Sequence, residues 1–138
     1  MDRAAAARRH SGLRGESLAA RHLEALGWEI LAARVRVGRD EIDLLAVEPG
    51  PPRTLVVVEV RTRTTARCGT PEESVDRRKI RRLYRAWFAL RALGRLPDGR
   101  ALPVLPWRVD LLAIDDAPAL DRGAGGVTFR HLRGLEPR

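Results

Sequence analysis

The feature that most constrains this chain is a pair of dense apolar segments, 41–47 and 54–63, joined by the Pro- and Gly-rich stretch from Glu48 to Arg53. Runs of Val, Leu, Ile and Thr on either side of such a stretch read as the two arms of a β-hairpin. Side chains alternate along a strand, so Glu41, Asp43, Leu45 and Val47 share one face, matched across the hairpin by Leu55, Val57, Glu59 and Arg61. The other face carries Ile42, Leu44, Ala46, Val56, Val58 and Val60 and is wholly apolar. Strands apolar on both faces belong in the middle of a sheet that is covered on both sides. The hairpin is therefore predicted to be central in a mixed sheet flanked by helices.

A chain of 138 residues can bury one core around one sheet. Residues 1–10 read as a basic N-terminal tail and 11–138 as a single domain. From Ser11 the pattern is helical, with Glu16, Ala19, Ala20, Leu23 and Gly27 recurring at helix-face spacing and Gly27 as a C-cap. A first strand covers 28–37, with Arg34 and Arg36 giving it one wet face. Ser74 opens a second helix as a candidate N-cap, and Ile80, Leu83, Tyr84, Trp87 and Leu90 form its apolar stripe, which runs out near Gly94. A fourth strand runs from about Leu105 or Trp107 to Ile114, and a weaker fifth covers 127–132. The order is αβββαββ, an α/β fold. The echo between 42–47 and 109–114 is read as two buried strands with similar needs, since nothing around it repeats.

Hydrophobic residues make up 44% of the chain and charged residues 32%, enough apolar matter for a core and too much charge for a membrane protein. No apolar run is long enough for a signal peptide or a span. Cys68 is the sole cysteine, which excludes an internal disulfide, and it has no spaced His or Cys partners for zinc. A cytoplasmic location is expected. The formal net charge of +8 attracts polyanions, nucleic acid first among them, although a ribosome-associated or merely Arg-rich protein has the same composition. Lys79 is the only lysine, so a retained Lys marks special chemistry better than any Arg does here.

Asp43 and Glu59 stand equally far, to within a residue, from the centre of the hairpin turn, which places them opposite each other on one face. Two like charges so placed repel and lower stability. A hard divalent cation held by Asp43, Glu59 and the Val60 carbonyl would compensate, and its waters can attack a phosphodiester. Arg61, on the same face, would orient that water or bind the phosphate. An ordinary ion-pair network with Arg61, Arg36 or Arg63 is the alternative. Glu16 falls on the core-facing stripe of the first helix, where it either joins this cluster or simply complements the helix dipole.

Four ordered motifs now carry a resemblance: Gly-Glu-Ser-Leu-Ala-Ala-Arg-His-Leu at 15–23, Glu-Ile-Asp-Leu-Leu-Ala at 41–46, Val-Glu-Val-Arg-Thr-Arg at 58–63, and Gly-Thr-Pro-Glu-Glu-Ser-Val at 69–75 followed by Lys79. Over about residues 11–115 the chain resembles the bacterial YraN family, itself similar to the PD-(D/E)XK superfamily of restriction endonucleases and Holliday-junction resolvases. The resemblance implies a restriction-endonuclease-like fold in which Asp43 and Glu59 bind Mg²⁺ or Mn²⁺, Glu16 assists from the first helix, and position 61 is the catalytic basic residue. Here that position is Arg61, where the superfamily motif has Lys. A guanidinium stabilises charge but does not give up a proton at neutral pH.

Lys79 matches the family's motif lysine and is assigned a phosphate or active-site contact, against the alternative of a surface lysine. Arg77, Arg78, Arg81, Arg82 and Arg85 on the same helix form a basic face suited to a phosphate backbone, although such runs are commonly only solvated. Trp28, Trp87 and Trp107 are assigned to the core, His10, His22 and His131 lack ligand spacing, and Asp110 is given a structural role. Two functions follow: a divalent-metal-dependent endonuclease acting on DNA, including branched or damaged DNA, or a nucleic-acid-binding protein of the same fold with weak or no catalysis. Neither involves a membrane, and either is compatible with a monomer or a homodimer.

Overall fold

The computed structural model describes residues 3–63, 75–116 and 126–137, with side chains in the first helix from Leu13 onward. The elements run α1 (Arg3–Ala25), β1 (Glu29–Val37), β2 (Asp40–Glu48), β3 (Thr54–Arg63), α2 (Arg77–Leu93), β4 (Trp107–Asp115) and β5 (Thr128–Leu132). The five strands lie side by side in chain order, with β3 and β4 parallel and the other neighbours antiparallel. This is the expected αβββαββ order in a mixed sheet, compatible with a restriction-endonuclease-like fold. The hairpin β2–β3 is central, as its two apolar faces require.

Each face of the sheet has its own core. On one, α2 packs Leu83, Ala86, Trp87 and Leu90 over Leu45, Val47, Leu55, Val57 and Val109. On the other, α1 lays Ala19 and Leu23 over Leu44, Ala46, Val56, Val58 and Leu112. Gly15 brings α1 close to the far end of β3, where a Cβ would stand 2.4 Å from the Thr62 hydroxyl. That close approach is what lets the next residue, Glu16, reach the hairpin.

Three expectations are corrected. The first helix begins at Arg3 rather than Ser11, because the run Ala4–Ala7 is strongly helix-favouring even without an apolar stripe. The cap of α2 is Asp76, whose carboxylate accepts the Lys79 amide at 2.9 Å; Ser74, Cys68 and the 69–74 part of the fourth motif lie outside the described residues. The strict alternation of β2 also breaks at Asp43. Ile42 joins the α2-side core and Leu44 the α1-side core, although a regular strand would put both on one face. The cause is local: the Val60 amide donates to the Asp43 carboxylate at 2.9 Å, and backbone pairing between β2 and β3 stops one step earlier, at Leu44 and Val58.

Candidate functional site

The break at Asp43 turns its carboxylate towards α1. There, one oxygen each from Glu16, Glu41 and Asp43 lie within 4.8 Å of one another, all three residues half-buried. One step beyond the last paired residues, in the same register, Glu59 stands opposite Asp43 with its side chain nearly fully enclosed. Two cations flank Glu59, with Arg61 Nε at 3.8 Å and Lys79 Nζ at 3.7 Å. Neither closes a hydrogen bond, so the buried Glu59 Oε2 and Arg61 Nε have no hydrogen-bond partner. A buried carboxylate oxygen left open is costly unless something else completes it.

The electrostatics agree with the geometry. Burial, then contact with the Asp43 carboxyl and its charge, push Glu59 up to about 8 against the pull of Lys79 and Arg61. Burial, then the charge of Asp43, raise Glu16 to about 7, and Arg34 only partly offsets this. Enclosure first, and the crowding of like charges second, thus move both carboxyls towards neutral pH.

Of the residues expected to act together, the fold gathers Glu16, Asp43, Glu59, Arg61 and Lys79. Val60 is brought in through its amide, which fixes Asp43. Glu41 was missed as a member of this carboxylate cluster, although its place two residues before Asp43 on one strand face was the available signal. Arg34 was missed as well. It sits in the left-handed region at φ 54, and its Nε lies 3.7 Å from Glu16 and 3.9 Å from Glu41. Of the arginines weighed as ion-pair partners for the central carboxylates, only Arg61 approaches them; Arg63 bonds Asp115 instead. Arg77, Arg78, Arg81 and Arg82 are exposed, whereas Arg85 is held in a two-point bond to Asp40 at 2.8 and 2.9 Å and is thereby withdrawn from the basic face.

Asp110 lies outside this cluster. Fully buried, it accepts from Arg108 at 2.7 and 2.8 Å and from the Gly134 amide at 3.0 Å, and stands 2.8 Å from His131 Nε2. It ties β4 to β5 and the C-terminal segment, which is a structural role. Among the described residues no helix is long and apolar enough to cross a membrane.

The model of the uncharacterised protein family UPF0102 matches residues 15–114, from the glycine at the α1 contact to the end of β4. The chain is 44% identical to a UPF0102 protein of Deinococcus radiodurans over 106 residues, 77% of this chain and 80% of that one. It is 41% identical to a UPF0102 protein of Symbiobacterium thermophilum, covering 80% and 86%. A UPF0102 protein of Acidothermus cellulolyticus is 38% identical over 94% of this chain and 96% of its own.

Proposed function

The chain belongs to the uncharacterised protein family UPF0102, the YraN family, and from its carboxylate cluster we propose that it is a divalent-metal-dependent endonuclease that hydrolyses DNA phosphodiester bonds, those of branched or damaged substrates included. One observation carries this reading: Glu16, Glu41 and Asp43 converge within 4.8 Å, and Glu59, opposite Asp43, keeps a buried oxygen with no hydrogen-bond partner. Hard oxygen donors in that number suit Mg²⁺ or Mn²⁺.

Asp43 and Glu59 would hold the ion, with Glu41 and Glu16 at its rim. Bound there, it would supply polarisation of a phosphate oxygen and an activated water. The protein's own groups do the rest. The Val60 amide keeps the Asp43 carboxylate in one orientation. Glu16, reaching in from α1, can accept a proton at its carboxylate. Lys79, entering from the first turn of α2, places a compact ammonium beside Glu59, where it can meet a phosphate oxygen. Arg61 neutralises charge on the same phosphate without exchanging a proton. The exposed arginines of α2 supply the attraction to the backbone.

A second reading, nucleic-acid binding with weak or no cleavage, is favoured by Arg61 standing where the superfamily motif has Lys. Both are tested by incubating the protein with linear, nicked, flapped and four-way-junction DNA, with Mg²⁺, with Mn²⁺ and with EDTA. The nuclease reading expects metal-dependent cleavage that is lost in Asp43→Asn. Tight binding of these DNAs with no cleavage under any condition would select the second reading.

A further inference from the structure

The arginines of α2 divide into two rows by helical spacing. Arg78, Arg82 and Arg85 follow one flank, and Arg85 is tied to Asp40. Arg77, Arg81 and Phe88 follow another, four and seven residues apart. Phe88 is half exposed, and its ring meets Trp107 edge-on at 5.5 Å and 88°. Tyr84 lies 6.1 Å from both rings, and the Arg91 guanidinium sits over Trp107 at 5.7 Å. Behind the rings, Trp107 and Arg91 border a shallow cleft against Val104, which is fully exposed. None of Arg77, Arg81 and Arg91 has a carboxylate within ion-pair distance among the described residues.

Tyr84 and Trp107 rest on the α2-side core, whereas Phe88, set on them, is half exposed within a basic helix face. An apolar protein partner would bury the neighbouring guanidiniums without counter-charges, which is costly. Duplex DNA would satisfy the arginines but keeps its bases stacked inside. Single-stranded nucleic acid satisfies both, offering phosphates to the arginines and an open base face to the ring. We infer that Arg77, Arg81 and the Phe88–Trp107 platform form a binding track for an unpaired nucleic-acid strand, with one base stacked on Phe88. The track spans eleven helical rises, about 16 Å, room for a few nucleotides of an unpaired strand. It narrows the substrate to nucleic acid carrying an unpaired segment of about that length. The inference rests on the protein binding nucleic acid and is independent of the carboxylate cluster.

The test is fluorescence anisotropy in EDTA with labelled dT20 and a blunt 20-base-pair duplex, on the parent and on Phe88→Ala, Phe88→Leu and Phe88→Tyr. Stacking on a single aromatic ring is worth roughly 5- to 150-fold in affinity. The ratio of single-strand to duplex affinity should fall by that factor in Phe88→Ala and Phe88→Leu and recover in Phe88→Tyr, with dT20 quenching the parent's Trp emission. Phe88→Leu keeps the apolar bulk, so loss of fold does not imitate the result. An unchanged ratio in Phe88→Leu overturns the inference. So does a parent that binds the duplex with steep salt dependence but not dT20, which leaves the nucleic-acid reading standing; a parent that binds neither removes both. A parent that is dimeric and becomes monomeric in Phe88→Ala would mark the face as a protein interface and also overturn it.

Discussion

Replacing Asp43 by Asn isolates the charge from the shape of the site. The Asn side-chain oxygen can still accept the Val60 amide hydrogen bond, seen here at 2.9 Å, while the negative charge facing Glu16, Glu41 and Glu59 disappears. Glu59 is raised from 4.5 to about 8, equivalent to roughly 5 kcal/mol between its two protonation states at 1.36 kcal/mol per pH unit. Burial is the largest cause, so the share relieved by removing Asp43 is smaller, about 1 kcal/mol. The metal-free variant should therefore melt no lower than the metal-free parent, and about 4 °C higher for a chain of this size. Metal reverses the order of gain. At tenfold excess over the dissociation constant, mass action adds about 1.4 kcal/mol to a fold that alone binds the ion. The parent should rise by about 5 °C and Asp43→Asn and Glu59→Gln by little. Scanning calorimetry at pH 7.5 in EDTA and in Mg²⁺ or Mn²⁺ reads all six curves. An ion-pair network predicts the opposite in EDTA, because neutralising one carboxylate strands a buried cation. Variants that melt lower in EDTA and respond to metal as the parent does would refute the metal site and the nuclease reading built on it.

Binding to duplex DNA should weaken steeply with salt, and Arg78, Arg81 and Arg82 changed together to Ala should flatten the plot of log affinity against log salt by up to about 3, near 0.9 per phosphate contact; an unchanged slope would assign this helix face to another partner. The Asp110 carboxyl is pushed up by burial but pulled further down by its bonds to His131, Arg108 and the Gly134 amide, to about 2. Its folded value lies below the unfolded one, so it contributes stability above pH 4 that is lost as pH falls through about 2, of order 2 kcal/mol. Melting curves from pH 2 to 5 should lack that component in Asp110→Asn, which should itself be less stable by about 3 kcal/mol at pH 7 because Arg108 loses its buried partner. Gly15→Ala would set a Cβ 2.4 Å from the Thr62 hydroxyl, and since a β-branched side chain gives way poorly, it should cost about 1–3 kcal/mol and weaken the metal-induced rise by shifting Glu16. A variant as stable and as metal-responsive as the parent would show that α1 does not position Glu16.

Much of this was open to reading in one dimension because the relevant physics is short-ranged. Alternation and turn composition placed Asp43 opposite Glu59 before any fold was known, and two apolar faces demanded a central hairpin. The 3.6-residue stripe of α2 and the rarity of lysine picked out Lys79. What tertiary structure alone decided is where side chains from distant elements meet. The Val60 amide chooses the Asp43 carboxylate over a backbone carbonyl, which breaks the alternation that pattern reading assumes and sends Ile42 and Leu44 to opposite cores. Glu16, with Arg34 beside it, joins Glu41 and Asp43 because Gly15 lets α1 press onto β3. Arg85 looks like its neighbours in sequence until the fold sets Asp40 beside it. The exposed ring of Phe88 and the half-buried ring of Trp107, nineteen residues apart, become one surface only when β4 returns beside β3. Periodicity tells which face a residue occupies, whereas partners across 20 to 90 residues are set by how faces pack, and that free energy is shared among many contacts rather than written in any one segment.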